Sequence, residues 1–221
     1  MSNRLAIFDC DGTLVDSQAN ICIAMEQCFA AHGLPAPDRG DIRRIVGLSL
    51  VEAMCALLPD ASDEQHRAMA EDYKRAFQTL RGNGGLLDEP LFDGIAESLD
   101  ALEADGWLLG VATGKSDRGL SLILAHHGLS RRFVTLQTAD RHPSKPHPAM
   151  VHAAIAEAGA TPETSVMIGD TSFDMAMGAA AGVRPIGVAW GYHAPDELRD
   201  AGALVVADHA SELARLARGT Y

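Results

Sequence analysis

Six short apolar runs constrain the fold of this chain more than any other feature. They are LAIF (5–8), LLGVA (108–112), FVTL (133–136), VMIG (166–169), PIGVA (185–189) and LVV (204–206). None has the strict in–out alternation of a half-exposed strand, so each reads as a strand covered on both faces, as in a parallel sheet. Helical patterns lie between them. Ile95, Leu99 and Leu102 recur at i, i+4, i+7, and so do Val151, Ile155 and Ala158 in their own segment. Leu120, Ile123, Leu124 and His127 share another face, and Gly106, Gly128 and Gly159 stand where these helices should stop. Strand–helix alternation of this kind predicts a doubly wound, Rossmann-like parallel α/β sheet.

Residues 18–83 break the alternation. Ile21, Met25, Cys28 and Phe29 form one helical face. A second helix begins at Ser49, and a third at Ser62, with Met69, Tyr73, Phe77 and Leu80 on one side. Ser62 with Gln65 fits a capping box. GNGGLLDEP (82–90) suits a return linker or hinge. The expected organisation is an α/β core formed by 1–17 and 84–221, with an all-helical cap, 18–83, inserted after the first strand.

Charge narrows the function classes. Lys plus Arg is 18 and Asp plus Glu is 30, for a net charge of −12. Such a chain is poorly suited to nucleic acid or an anionic membrane, and an anionic substrate would need local cations. Cysteines stand at 10, 22, 28 and 55, with no CxxC pair. Their apolar surroundings suit reduced thiols and a cytoplasmic location. The first apolar run is too short for a secretory signal, and no stretch approaches the length of a membrane helix.

In an open parallel sheet, ligands bind beyond the carboxyl ends of the strands. Asp9 and Asp11 follow the first run, Thr113, Gly114 and Lys115 the second, Lys145 lies in the loop after the third, and Asp170 and Asp174 follow the fourth. Four carboxylates, a hydroxyl and two lysines therefore fall on one sheet edge. A hard cation bound through oxygen, usually Mg²⁺, relieves the repulsion among the carboxylates, and the lysine and threonine donors suit phosphoryl oxygens. The stretch DCDGT alone could be a metal site, a nucleophile with its acid/base partner, a thiol site or a turn. The thiol reading fails because no cysteine is followed six places later by arginine. No HExxH spacing supports a histidine-bound metal. Lys115 could pair with a carboxylate of the site or point to water.

The ordered set DCDGT, ATGK, KPHP and GDTSFD resembles the four motifs of the haloacid dehalogenase superfamily over essentially the whole chain. DGTLVDS, VGLSL (46–50) and KPHP resemble its phosphoglycolate phosphatase-like branch. The resemblance implies a Mg²⁺-dependent phosphomonoester hydrolase acting through an aspartyl-phosphate on a small phosphorylated metabolite, phosphoglycolate first. It implies Asp9 as nucleophile and Asp11 as acid/base. It also implies Mg²⁺ on Asp9, Asp170 and the Asp11 carbonyl, with Asp174 supporting that shell, and Thr113, Gly114 and Lys145 on the phosphoryl group. Asp11 favours phosphate esters over halides, since halide displacement needs no proton. The second motif often carries asparagine where this chain has Gly114, which implies a changed contact there. Arg44 and Gly47, with Arg43, are candidates for the substrate's remote end, or else an exposed helix face and a turn. The alternatives are a sugar phosphomutase like β-phosphoglucomutase, a pyrophosphatase or nucleotidase, a phosphonate hydrolase using Lys74, and a non-enzymatic binding module. A monomer or homodimer is expected.

Overall fold

The computed structural model describes residues 2–219. Its sheet has six parallel strands: β1 (Asn3–Phe8), β2 (Trp107–Thr113), β3 (Phe133–Thr138), β4 (Ala160–Gly169), β5 (Arg184–Val188) and β6 (Val205–Ala207). Their order is β3-β2-β1-β4-β5-β6. The chain winds outward from β1 through β2 and β3, then returns to the other side of β1 with β4. That reversal opens a crevice beyond the carboxyl ends of β1 and β4.

The apolar runs form strands because both sheet faces are covered. Leu5 and Ile7 of β1 enter one core cluster, while Ala6 and Phe8 enter another across the sheet. One layer contains α5 (Ile95–Ala104), α6 (Asp117–His126) and α10 (Leu213–Ala217). The other contains α7 (Ala149–Ala158) and α8 (Ser172–Ala180). Burial of each large side chain contributes about 1.5–3 kcal/mol. Strand β4 begins well before VMIG. Its first half meets β1 only at Asn3 and is half-buried, so no apolar run marks it. Leu204, read as strand, is 60% exposed and lies just outside β6.

Between β1 and α5 the regular elements are all helices: α1 (Gln18–Ala31), α2 (Arg39–Arg44), α3 (Leu50–Leu57) and α4 (Asp63–Gly82). These helices share a separate core that includes Met25, Phe29, Ile42, Met54, Met69 and Tyr73. Met54→Ala there should cost about 2–5 kcal/mol. Of the capping box at α4, the Ser62 half forms: its hydroxyl accepts from the Gln65 amide at 3.2 Å. The outgoing and returning segments run side by side. The Asp16 amide donates to the Pro90 carbonyl at 2.9 Å, and the Phe92 amide to the Leu14 carbonyl at 3.1 Å. A short α9 (Pro195–Asp200) follows the loop after β5.

Candidate active site

Strand β1 delivers Asp9 directly into the crevice. Its amide still belongs to the sheet, donating to the Ile168 carbonyl of β4 at 2.9 Å, and its side chain is fully buried. Asp170 follows β4 in the same way. Asp174 lies one turn further on, in the first turn of α8. Asp9, Asp170 and Asp174 each bring a carboxylate oxygen to within 4.8 Å of the others.

Each buried carboxylate has a different set of partners. Asp174 accepts from the Thr171 amide and hydroxyl, at 3.1 and 2.7 Å, in a capping box. Asp170 accepts from the Thr13 hydroxyl at 2.8 Å and the Tyr192 amide at 2.9 Å. Lys145 is fully buried, with its Nζ 2.6 Å from Asp174 Oδ1 and 2.8 Å from Asp9 Oδ1. It is aligned as a hydrogen-bond donor only to Asp174, so both Asp9 oxygens lack an aligned donor among the described residues. Burial pushes the Asp9 carboxyl up to about 7 against the pull of Lys145, with Asp174 adding to the rise. Burial, then Asp9 and Asp174, also push Asp170 well above its usual range. Burial opposes the Lys145 charge, but Asp174 and Asp9 outweigh it and hold the ammonium above its ordinary value.

This set fits a hard divalent cation. Three carboxylates face one ammonium in a fully buried site, an excess of negative charge, and the unsatisfied oxygens are the ligand type that Mg²⁺ takes. Gly12 permits the packing. Its φ is +89°, and a Cβ there would lie 2.2 Å from an Asp170 oxygen.

Asp11 stands outside this three-carboxylate group. Lys115 Nζ sits 2.7 and 2.8 Å from its two oxygens, and Ser17 donates to one of them. Lys115, left open between pairing and water by the sequence, thus belongs to Asp11. Thr113 is buried, and its hydroxyl accepts from the Lys115 amide at 3.2 Å. Cys10 is a packed spacer. Burial, with Asp11 adding to it, pushes its thiol well up, away from the thiolate.

A cavity of about 300 Å³ opens over this floor, between core and helical insertion. Asp9, Asp11, Thr113, Gly114 and Gly47 line it. Gly114 meets the loop before α3 so closely that a Cβ there would lie 2.5 Å from both the Gly47 and Leu48 carbonyl oxygens. Arg44 is not brought to this cavity. Its guanidinium pairs with Glu197 at 2.7 Å and borders a separate depression. The sequence reading missed Ser17, Thr13, Thr171 and Tyr192. Tyr192 lies in the loop after β5, where the same strand-end rule would have found it.

The pattern described as "Haloacid dehalogenase-like hydrolase" matches residues 6–188. "Probable phosphatase IndB" of Dickeya dadantii is 37% identical over 214 residues, covering 95% of this chain and 91% of that protein. "Tyrosine-protein kinase PtkA" of Mycobacterium tuberculosis is 33% identical over 97% of this chain and 72% of its own length. "N-acetylmuramic acid 6-phosphate phosphatase" of Pseudomonas aeruginosa is 31% identical over 96% of this chain and 94% of its own. A solved structure from Bacteroides fragilis, described as a putative haloacid dehalogenase-like hydrolase, superposes with a TM-score of 0.87 at 24% identity, covering 96% of this chain and 99% of that one.

Proposed function

The chain belongs to the haloacid dehalogenase-like hydrolases and is a phosphatase, and on that premise we propose that it is a Mg²⁺-dependent phosphomonoester hydrolase acting through an aspartyl-phosphate. One observation carries the reading. Asp9 is the buried carboxylate whose two oxygens have no aligned donor, and it lies at the floor of the cavity, where a phosphoryl group would arrive.

In this mechanism an Asp9 oxygen attacks phosphorus, and the P–O bond to the leaving alcohol breaks. Asp11 gives that oxygen its proton, then takes one from the water that hydrolyses the aspartyl-phosphate. Lys115 and Ser17 fix the Asp11 carboxyl for both steps. The Thr113 hydroxyl, the Gly114 amide and the Lys145 ammonium bind the phosphoryl oxygens. Asp9, Asp170 and the Asp11 carbonyl would hold Mg²⁺, with Asp174 supporting them. When bound, the ion offsets charge on the phosphoryl oxygens. The helical insertion acts as a cap that excludes bulk water.

The substrate on this reading is a small phosphorylated metabolite, with phosphoglycolate the first to test. A cytoplasmic location suits four cysteines that are all free. Among the described residues no helix is long and apolar enough to cross a membrane.

The test is phosphate release from a broad panel of monoesters with Mg²⁺, using wild type and Asp9→Asn. No release by wild type, or full activity in the variant, would sink the proposal. Transfer of the phosphoryl group to a sugar or to tyrosine, with no free phosphate, would favour a phosphomutase or a PtkA-like activity from the same site.

A further inference from the structure

Arg81, in the last turn of α4, and Arg118, in the first turn of α6, line the same cavity. One belongs to the helical insertion and the other to the core. The lysines that share the cavity wall are already paired: Lys74 with Glu71 at 2.8 Å, and Lys115 with Asp11. Arg81 stacks over Phe77, 5.8 Å from the ring centre, and neither arginine has an ion-pair partner among the described residues. Asp140 also lines the cavity, but its carboxylate accepts from the Asp117 amide at 2.9 Å.

Arg39, Arg44, Arg132, Arg141 and Arg199 find carboxylates, whereas Arg81 and Arg118 line the cavity without a salt bridge among the described residues, Arg81 acting only electrostatically on the Glu89 carboxyl. Arg118 also opposes the local field, because the first turn of a helix favours acids. A local rule broken beside a cavity points to a ligand. Met25, Leu50 and Phe77 line the same cavity and give it an apolar wall.

We propose that Arg81 and Arg118 form a second oxyanion site, so that the substrate carries, beyond its scissile phosphoryl group, an apolar segment ending in a carboxylate or a second phosphate. Guanidinium is the side chain best suited to either group, since it stays charged and offers paired donors. The proposal deepens the phosphatase reading and rests on it. A two-carbon acid would leave most of the apolar wall of a cavity of about 300 Å³ uncovered, so the spacer is longer than that of phosphoglycolate.

The experiment measures kcat/KM of the full chain with Mg²⁺ on three series of increasing length: plain alkyl phosphates, ω-carboxyalkyl phosphates and α,ω-alkane bisphosphates. The expected result is a preference of about tenfold or more for one anionic series over the plain ester of equal length, with the optimum beyond two carbons. Arg81→Gln and Arg118→Gln should each reduce that preference at least about fivefold. Arg67→Gln, an exposed change away from the cavity, should keep it. The series that wins identifies the second group. Plain esters turned over with no anionic preference, a preference that survives both cavity substitutions, or an optimum at two carbons would overturn the inference and leave the phosphatase reading standing. No phosphate from any series would overturn both.

Discussion

Lys115 holds both carboxylate oxygens of Asp11, at 2.7 and 2.8 Å, while its Nζ also lies 5.9 Å from the ring centre of Phe77 on α4. One ammonium therefore touches the proposed acid/base and the roof of the cavity. Lys115→Met should lower kcat about 10–100-fold by freeing the Asp11 carboxyl from its productive orientation. Lys115→Arg should recover part of the loss. Steady-state kinetics check this, and an unchanged kcat in the methionine variant would remove Lys115 from the mechanism.

Asp9→Asn should reduce turnover by about three orders of magnitude or more, since it removes the proposed covalent route. The fold should survive. Without metal, three buried carboxylates share one lysine, and the substitution removes one of the surplus charges. Circular dichroism and a melting curve in chelator would show a transition no lower than that of wild type. A collapse of the fold would mean that Asp9 is structural first.

Stability should depend on pH and Mg²⁺ together. The Asp9 carboxyl is pushed up to about 7 from 3.8 by burial, so the folded state binds its proton more tightly than the unfolded chain. Above the unfolded value the unfolded state releases that proton first, and metal-free stability falls as pH rises from about 4 through about 7. Asp170, also raised by burial, acts in the same direction. A bound divalent cation takes the place of these protons. Mg²⁺ should therefore raise the melting temperature more at about pH 8 than at about pH 5.5. Equal shifts at both pH values would exclude a metal on these carboxylates.

Gly114→Asn tests the fit between insertion and core. Any Cβ at 114 meets the Gly47 and Leu48 carbonyls at 2.5 Å, and backbone at both sides cannot yield cheaply. The loop before α3 must lift, the cavity stays wetter, and kcat/KM should fall about tenfold with the thermal stability of the core kept. Wild-type kinetics would show that the loop moves freely. The sequence suggested only a changed contact here; the structure supplies its partner, the opposing loop.

What was legible in the sequence follows from locality. Asp9 and Asp170 stand directly after apolar runs and Asp174 one helical turn beyond Asp170, so the strand-end rule places them together once the sheet is parallel. Arg44 shows the limit. Its segment has no strand to aim it, and the contact that turns it toward Glu197 comes from α9, far along the chain. Thr13 and Ser17 were hidden because each acts through a carboxylate of another residue, Asp170 and Asp11. Arg81 and Arg118 look like ordinary surface charges until the fold sets them on one cavity.

The paired crossing segments, Leu14–Asp16 beside Pro90–Phe92, have an engineering consequence. Because the chain leaves and re-enters the core at neighbouring points, closing the inserted loop costs little entropy that depends on what lies between. The helical segment should therefore be exchangeable at this junction. A helical segment grafted from a relative between these two crossing points should retain the phosphoryl chemistry proposed for Asp9 and Asp11 while importing the donor's choice of ester, so swaps at this junction offer a direct route to altered selectivity.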